Sequence, residues 1–291
     1  AIWNDRLLEN ESEIINQNSF YPTMLAFAER SWKGGGYEYF DKNGTILPTD
    51  KSDPVFVSFQ DFERRMLHYK KTIFIDEPFP YVKQTNVNWL ITDAFPNDGD
   101  LTKTFAPEKK IKKTYIHNGK TYRANPAIGV GIYLRHVWGT LVPGFYENPK
   151  ENHTAYAYTW VYSPIKQEVG AIIEFQNYSR SEADLPPKQG EWDYKGSKVW
   201  INNNEIMPPV WANQHTVKSN EIPLLNENAA AREPIKVNLK KGWNKVLLKL
   251  PVSGFTSQSV RQEKGMFTFV FVTPDGRNEV DNLTYNPYKK K

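Results

Sequence analysis

The spacing of apolar residues changes near residue 80 and divides the chain into a helical part and a longer strand-rich part. The first predicted helix begins at Pro22, because the missing N–H of proline costs nothing in a first helical turn. Leu25, Ala28 and Trp32 then keep the three-to-four spacing of one helix face. The glycines at positions 34–36 end this run, so the pattern predicts one helix before them.

A second helix is predicted from Asp53–Pro54 to Ile73. We expect an apolar stripe to form its buried face and basic residues to occupy the opposite side. The stripe consists of Phe59, Phe62, Met66, Tyr69 and Ile73. The residues expected to face water are Arg64, Arg65, Lys70 and Lys71.

After Phe79–Pro80 the apolar residues alternate with polar ones, which is the pattern of half-buried strands. The Asn118–Gly119 pair predicts a tight hairpin turn, since glycine adopts the positive φ needed there. Short strands without intervening helices predict an antiparallel β-sandwich. We therefore divide the chain into two domains, residues 1–80 and residues 81–291. The predicted strands are Val87–Thr92, Lys113–His117, Thr121–Arg123, Gly129–Val137, Thr154–Tyr162, Val169–Gln176, Lys198–Asn202, Ile235–Leu239, Asn244–Leu250 and Met266–Val272.

Charge and composition exclude several classes of function. The chain has 37 basic and 33 acidic residues, which is too balanced to indicate nucleic acid as a partner. No apolar run approaches the ~20 residues that a membrane-spanning helix needs. The absence of cysteine excludes disulfides and thiolate sites, and the five histidines show no metal-ligand spacing. No nucleotide-binding or nucleophile-elbow motif is present, so we expect neither a cofactor nor a metal.

Aromatic residues make up 14% of the chain, with 9 Trp, 16 Tyr and 16 Phe. Aromatic rings fill cores, and they also stack on the apolar faces of sugars. Trp192, Tyr194 and Trp211 lie in predicted loops. There they either contact a glycan, pack at the edge of the sandwich or dock against a neighbouring catalytic domain. The tryptophans expected in the core are Trp89, Trp138, Trp160, Trp200 and Trp243.

The beginning of the chain resembles the end of the catalytic domain in family 20 glycoside hydrolases. The resemblance is carried by Ala1-Ile2-Trp3-Asn4-Asp5, then Phe20-Tyr21-Pro22, then Ala26-Phe27-Ala28-Glu29-Arg30-Ser31-Trp32. Those enzymes are β-N-acetylhexosaminidases with a (β/α)8 barrel. The resemblance implies that residues 1–80 are the last strand and helices of such a barrel.

The resemblance also implies roles for particular residues. Trp3 would form a wall of the pocket for the terminal sugar, and Asp5 would accept hydrogen bonds from its 4- and 6-hydroxyls. The family usually has Glu at that position, so Asp5 is a departure that affects the hydroxyl contacts. Glu29, Arg30 and Trp32 are expected to be structural, because they lie on the helix that follows the last strand.

The catalytic residues of such an enzyme are not expected within this chain. In the family, an adjacent Asp-Glu pair orients the substrate's acetamido group and protonates the leaving oxygen, and that pair precedes the Trp-x-acid motif. The one Asp-Glu in this chain, Asp76-Glu77, follows the last helix, so we interpret it as a linker turn. The chain alone is therefore expected to be inactive, and the family suggests a periplasmic or extracellular location without fixing it.

Residues 81–291 resemble the jelly-roll, galactose-binding-like modules appended to many glycosidases. The resemblance is carried by Gly196-Ser197-Lys198-Val199-Trp200-Ile201-Asn202 and by the stretch 239–250. Gly242 suits a turn, and Asn244 is expected to bind loop backbone. The chain is thus predicted to be the C-terminal portion of an enzyme that removes terminal N-acetylhexosamine, with an N-acetylhexosamine-terminated glycan and an upstream catalytic domain as its partners. The alternatives are a non-catalytic carbohydrate-binding module and a purely structural domain.

Overall fold

The structure is a computed structural model that describes residues 15, 20–34, 44–175, 187–210, 234–256 and 262–289. Trp3, Asp5 and Trp211 lie outside the described residues, so their predicted roles stay predictions. Within the described part the chain is mainly β, with three α-helices and one turn of 3-10 helix. The helices are α1 (Phe20–Lys33), α2 (Pro54–Thr72) and α3 (Ala106–Lys109), and the 3-10 turn is Gly139–Leu141.

The start of α2 is set by its first residues. The Asp53 carboxylate accepts a hydrogen bond from the backbone N–H of Val55 at 2.8 Å, and Pro54 occupies the first turn. A capping carboxylate satisfies one of the N–H groups that a helix leaves without partners. The predicted helix from Asp53 to Ile73 is confirmed, because these two residues are the caps of α2.

All ten predicted strands are present, and three short strands were not predicted. The unpredicted strands are β2, β9 and β13, which contain only two or three residues each. Such short runs show too little alternation to be recognised in the sequence. The strands are β1 (Asn88–Thr92), β2 (Phe95–Pro96), β3 (Thr114–His117), β4 (Lys120–Ile128), β5 (Gly131–Arg135), β6 (His153–Ser163), β7 (Gln167–Glu174), β8 (Lys198–Ile201), β9 (Asn204–Ile206), β10 (Ile235–Leu239), β11 (Gly242–Val252), β12 (Gly265–Val272) and β13 (Thr284–Tyr285).

The strands of the described residues form two antiparallel sheets. The larger sheet has the order β3-β4-β1-β6-β11-β8-β9, and β2 and β13 also pair with β6. The smaller sheet has the order β10-β7-β12-β5. The long strands β6 and β11 pair along their whole length, from Gly242 opposite Ser163 to Val252 opposite His153. They form the centre of the larger sheet.

The two sheets pack against each other over one hydrophobic core, which gives a β-sandwich-like unit that we call the sandwich. Trp89 on β1 is fully buried, and its ring meets those of Phe267 and Phe269 on β12 at 5.2 and 5.7 Å between centroids. Its indole N–H donates to the carbonyl of Gly129 at 3.0 Å. The prediction that Trp138 is a core residue is wrong: it follows the end of β5 and is 53% exposed.

A second apolar cluster covers the outer face of the larger sheet. It brings Phe95 and Tyr156 together with Phe105, the residue immediately before α3. The segment around α3 is also held by Lys249, a buried residue of β11 whose ammonium group donates to the carbonyl of Lys103 at 2.8 Å. Both faces of the larger sheet are therefore covered, which explains why its central strands are buried on both sides.

Two charged residues of α2 attach that helix to the sandwich. Lys70 is 7% exposed, and its ammonium group donates to the carbonyls of Tyr81 and Arg277. The buried Glu63 carboxylate accepts hydrogen bonds from the backbone N–H of Gln84 and the hydroxyl of Thr85. The prediction that Lys70 faces water is wrong, because these carbonyl groups compensate for the loss of its hydration.

A helix that spans a membrane must be both long and apolar. Over the described ranges, no helix is both long enough and apolar enough to span a bilayer.

Candidate functional site

Helix α1 carries the Ala-x-x-Glu-Arg-x-Trp stretch, and its apolar side chains are mostly uncovered. Of its 14 residues, only Pro22 is buried. Phe27 is 73% exposed and Trp32 is 92% exposed. These two residues are five positions apart, roughly 140° around a helix, so apolar surface is uncovered on two sides of α1. Exposed apolar surface of this extent makes α1 a candidate for interaction.

The polar residues of α1 attach it to α2. The Glu29 carboxylate accepts two hydrogen bonds from the guanidinium of Arg65, one of them at 2.8 Å. The hydrogen bond from Arg65 holds the pKa of Glu29 below its ordinary value. This fork-to-fork geometry is the strongest arrangement of a carboxylate and an arginine. It agrees with a structural role for Glu29.

The turn after α2 contains Asp76 and Glu77, and both are exposed. Glu77 accepts a hydrogen bond from the hydroxyl of Tyr21 at 2.9 Å, and the Tyr21 ring packs on Phe74 at 4.8 Å. The Asp-Glu pair thus lies in a turn, where Glu77 helps to hold α1.

Trp192 and Tyr194 lie in the loop before β8 in different surroundings. Trp192 is 4% exposed, its ring meets that of Phe175 at 5.7 Å, and its indole N–H donates to the carbonyl of Ile206 at 2.9 Å. This position corresponds to the packing alternative considered for the residue. Tyr194 is 40% exposed, and its contact with a glycan stays a prediction.

A cavity of about 420 Å³ opens at one end of the sandwich. It lies where β6 and β12 begin and where β1, β5 and β11 end, so it is placed between the two sheets. Its most buried apolar lining residues are Leu134, Ala155 and Leu250, which belong to the hydrophobic core. A concave site with an apolar floor and a few converging polar groups is the usual form of a small-molecule site.

The rim of this cavity is predominantly basic. Five basic side chains line it against two acidic ones, an excess of three positive charges. Both acidic groups already have partners: Asp93 accepts from the backbone N–H of Arg123 and the amide of Asn125, and Glu263 forms an ion pair with Lys195. The basic side chains are Lys120, Arg135, Lys150, Lys195 and Lys264.

Arg135 is the basic side chain of the rim that the structure fixes most tightly. Its guanidinium donates to the carbonyl of Glu263 and lies over the ring of Phe255, 4.3 Å from the centroid. Burial lowers the pKa of Arg135, which indicates that water solvates this cation poorly. A guanidinium has five N–H donors, so further donors remain for an anion.

The loop that carries Lys195 is also held in place. The buried Asp193 carboxylate accepts hydrogen bonds from the backbone N–H groups of Lys195 and Ser197 and from the Ser197 hydroxyl. Trp192 and Tyr194 do not line the cavity, whereas Lys195 does. An aspartate two residues before the lysine is a turn signal, but the sequence does not reveal which sheet edge that turn meets.

The described residues contain no cluster of three or more His, Asp or Glu side chains that could hold a metal ion. No protein-family model matches the chain. The search among curated proteins finds no significant match either.

Proposed function

We propose that this chain is the C-terminal portion of a glycoside hydrolase of the family 20 type, which removes terminal N-acetylhexosamine by substrate-assisted retention. In this proposal, residues 1–80 complete the catalytic barrel, and residues 81–291 are an accessory, jelly-roll-like domain. The observation that carries the proposal is the exposure of α1, the helix with the family's Ala-x-x-Glu-Arg-x-Trp stretch.

Helix α1 lacks the burial that stabilises helices in globular proteins. A helix of 14 residues is marginal in water by itself, because most helical stability comes from packing of an apolar face. Burying side chains such as Phe27 and Trp32 would contribute about 1.5–3 kcal/mol each. The upstream catalytic domain is the proposed partner, since in a barrel each helix packs on neighbouring helices and on the strands inside.

The contacts of α2 support an accessory role for the sandwich. Glu29 and Arg65 join α1 to α2, and Glu63 and Lys70 join α2 to the sandwich. The helices of the proposed barrel end are therefore tied to the β-rich part by ion pairs and hydrogen bonds. A sandwich attached in this way would keep a fixed position beside the catalytic domain.

The proposed chemistry is divided between the two parts of the whole protein. Trp3 and Asp5 would supply the wall and the hydroxyl acceptor of the sugar pocket, as the family resemblance implies. The acid that protonates the leaving oxygen would come from the upstream domain. The chain by itself therefore binds one side of the substrate and does not turn it over.

The interface is tested by changing Trp32→Ser in the chain alone and in the longer protein that includes the upstream domain. We expect little change in the unfolding free energy of the isolated chain, because Trp32 is almost fully exposed there. In the longer protein we expect a loss of about 2 kcal/mol, measured by urea denaturation. Val210→Ser is the matched control, since Val210 is 89% exposed on the β-rich part.

If Trp32→Ser changed the unfolding free energy of the isolated chain and of the longer protein equally, the proposal that the upstream domain covers α1 would be contradicted. An effect of Val210→Ser as large as that of Trp32→Ser in the longer protein would also contradict it.

A further inference from the structure

We propose that the cavity at the end of the sandwich binds an acidic sugar residue, one that carries a carboxylate or a sulfate ester on a pyranose ring. This inference goes beyond the proposed function and does not depend on it, because it concerns binding by residues of the sandwich alone. It rests on the size of the cavity, its apolar floor and the unbalanced charge of its rim.

The cavity has the dimensions of a small-molecule site. Its volume of about 420 Å³ lies within the ~300–1,000 Å³ of ordinary ligand pockets. The floor of Leu134, Ala155 and Leu250 offers an apolar surface to the C–H groups of a sugar ring. Thr121 and Asn148 at the rim supply a hydroxyl and an amide for sugar hydroxyls.

The charge of the rim selects an anion. Among the described residues, Lys120 and Lys150 have no hydrogen-bond or acidic partner, and both are exposed at the mouth of the cavity. Arg135 also lines the cavity, and its guanidinium is held over Phe255. The nearby carboxylates of Asp93 and Glu263 are already bound to other groups, and Glu151 accepts the backbone N–H of Phe255 at 2.9 Å. The carboxylates of Glu151 and Glu263 also act on Arg135. Within the described part of the chain, Lys120 and Lys150 are therefore the rim cations that a ligand anion would meet without an acidic partner.

The geometry favours an acidic sugar over a simple anion. A planar guanidinium binds a carboxylate or a sulfate through two parallel hydrogen bonds. A free acetate or sulfate ion would use those donors but would leave the apolar floor in contact with water. A sugar ring that carries the same anionic group would cover the floor and use the cations together. The ring and the anionic group should therefore contribute jointly to affinity.

The test is titration calorimetry of the whole 291-residue chain with five probes. Glucuronic acid and N-acetylglucosamine 6-sulfate are the acidic sugars, glucose is the neutral one, and acetate and inorganic sulfate are the simple anions. We expect at least one acidic sugar to bind at least about tenfold more tightly than glucose and than the simple anions. Binding of only one acidic sugar would identify the preferred anionic group.

The variant Lys150→Glu tests the location of the site. Because a charge-assisted hydrogen bond is lost and a repulsive charge is added, we expect the affinity for the acidic sugar to fall at least about tenfold. The matched control is Lys166→Glu, which makes the same charge change in the β6–β7 connection, at the opposite end of β6 from the cavity. Lys166→Glu should leave the affinity unchanged, and circular dichroism of both variants checks that they fold.

Several results would overturn the proposal. These are a lack of binding by both acidic sugars, equal binding of glucose, equal binding of the simple anions, and equal effects of the two lysine variants. None of them concerns hydrolysis, so failure here is distinguishable from failure of the proposed function.

Discussion

At the scale of single residues, Asn244 shows how one side chain fixes a turn. It is fully buried, and its amide donates to the carbonyls of Lys240 and Gly242 at 2.9 and 3.0 Å. Its carbonyl oxygen accepts the amide of Asn202 at 2.7 Å and the backbone N–H of Lys240 at 3.0 Å. Gly242 has φ of +93°, so the predicted use of both residues in this turn is confirmed.

The variant Asn244→Ala should destabilise the protein strongly. It leaves several partly buried backbone groups of the β10–β11 turn and the amide of Asn202 without this partner, and we expect the unfolding free energy to fall by about 3 kcal/mol. Urea denaturation followed by circular dichroism measures the change. The control Asn238→Ala removes an exposed amide of β10 and should change stability by less than about 0.5 kcal/mol. Similar losses in the two variants would contradict this account of the turn.

At the scale of elements, α2 was predicted with correct bounds and a partly wrong buried face. Its buried positions are Phe56, Glu63, Met66 and Lys70, whereas Ile73 is 65% exposed. Apolar periodicity cannot anticipate buried Glu63 and Lys70, because their partners are backbone groups of Tyr81, Gln84 and Thr85, which the fold brings together. The pattern identifies the helix, and the backbone around it decides which face is covered.

The attachment of α1 to α2 should weaken in acid. The hydrogen bond from Arg65 lowers the pKa of Glu29 below its ordinary value of 4.5. A lowered pKa stabilises the folded state above the unfolded-state pKa, and this contribution is lost as the pH falls through the folded-state value. We expect Glu29→Gln to weaken hydrogen-exchange protection of α1 by about 1 kcal/mol at pH 7, and the difference from the unmodified protein to vanish well below pH 4.5.

The control for this experiment is Asp61→Asn, which removes an exposed partner of Arg64 on α2. It should leave the protection of α1 unchanged at every pH. A difference between Glu29→Gln and the unmodified protein that stays constant from pH 7 to pH 3 would contradict the assignment of the effect to Glu29.

At the scale of the whole molecule, strand positions were predictable and strand neighbours were not. Alternating and continuous apolar runs between turn signals gave the ten longer strands, because strands covered on one face alternate and strands covered on both faces do not. It could not give the pairing of β6 with β11 or of β7 with β10, whose partners are far apart in sequence. The cavity follows from that pairing, since Arg135, Lys150 and Lys195 come from three separate segments that meet at one end of the sandwich.

Functional features carried by contiguous residues can be recognised in the sequence, whereas features that depend on the folded surface cannot. The family resemblance lies in contiguous stretches of the first 32 residues, so it is visible in the sequence. The exposure of Trp32 is visible only after folding, because the three-to-four spacing of Leu25, Ala28 and Trp32 is equally typical of a buried helix face.

Hydrolysis of an aryl β-N-acetylglucosaminide tests the central claim most directly. The purified 291-residue chain and the longer protein with its upstream domain are assayed at the same concentration. The account predicts no turnover above background by the chain alone, because it proposes that the acid-base pair lies outside this chain, and clear turnover by the longer protein. Turnover by the chain alone, or a folded longer protein without activity, would contradict the claim that this chain is the non-catalytic C-terminal portion of an N-acetylhexosaminidase.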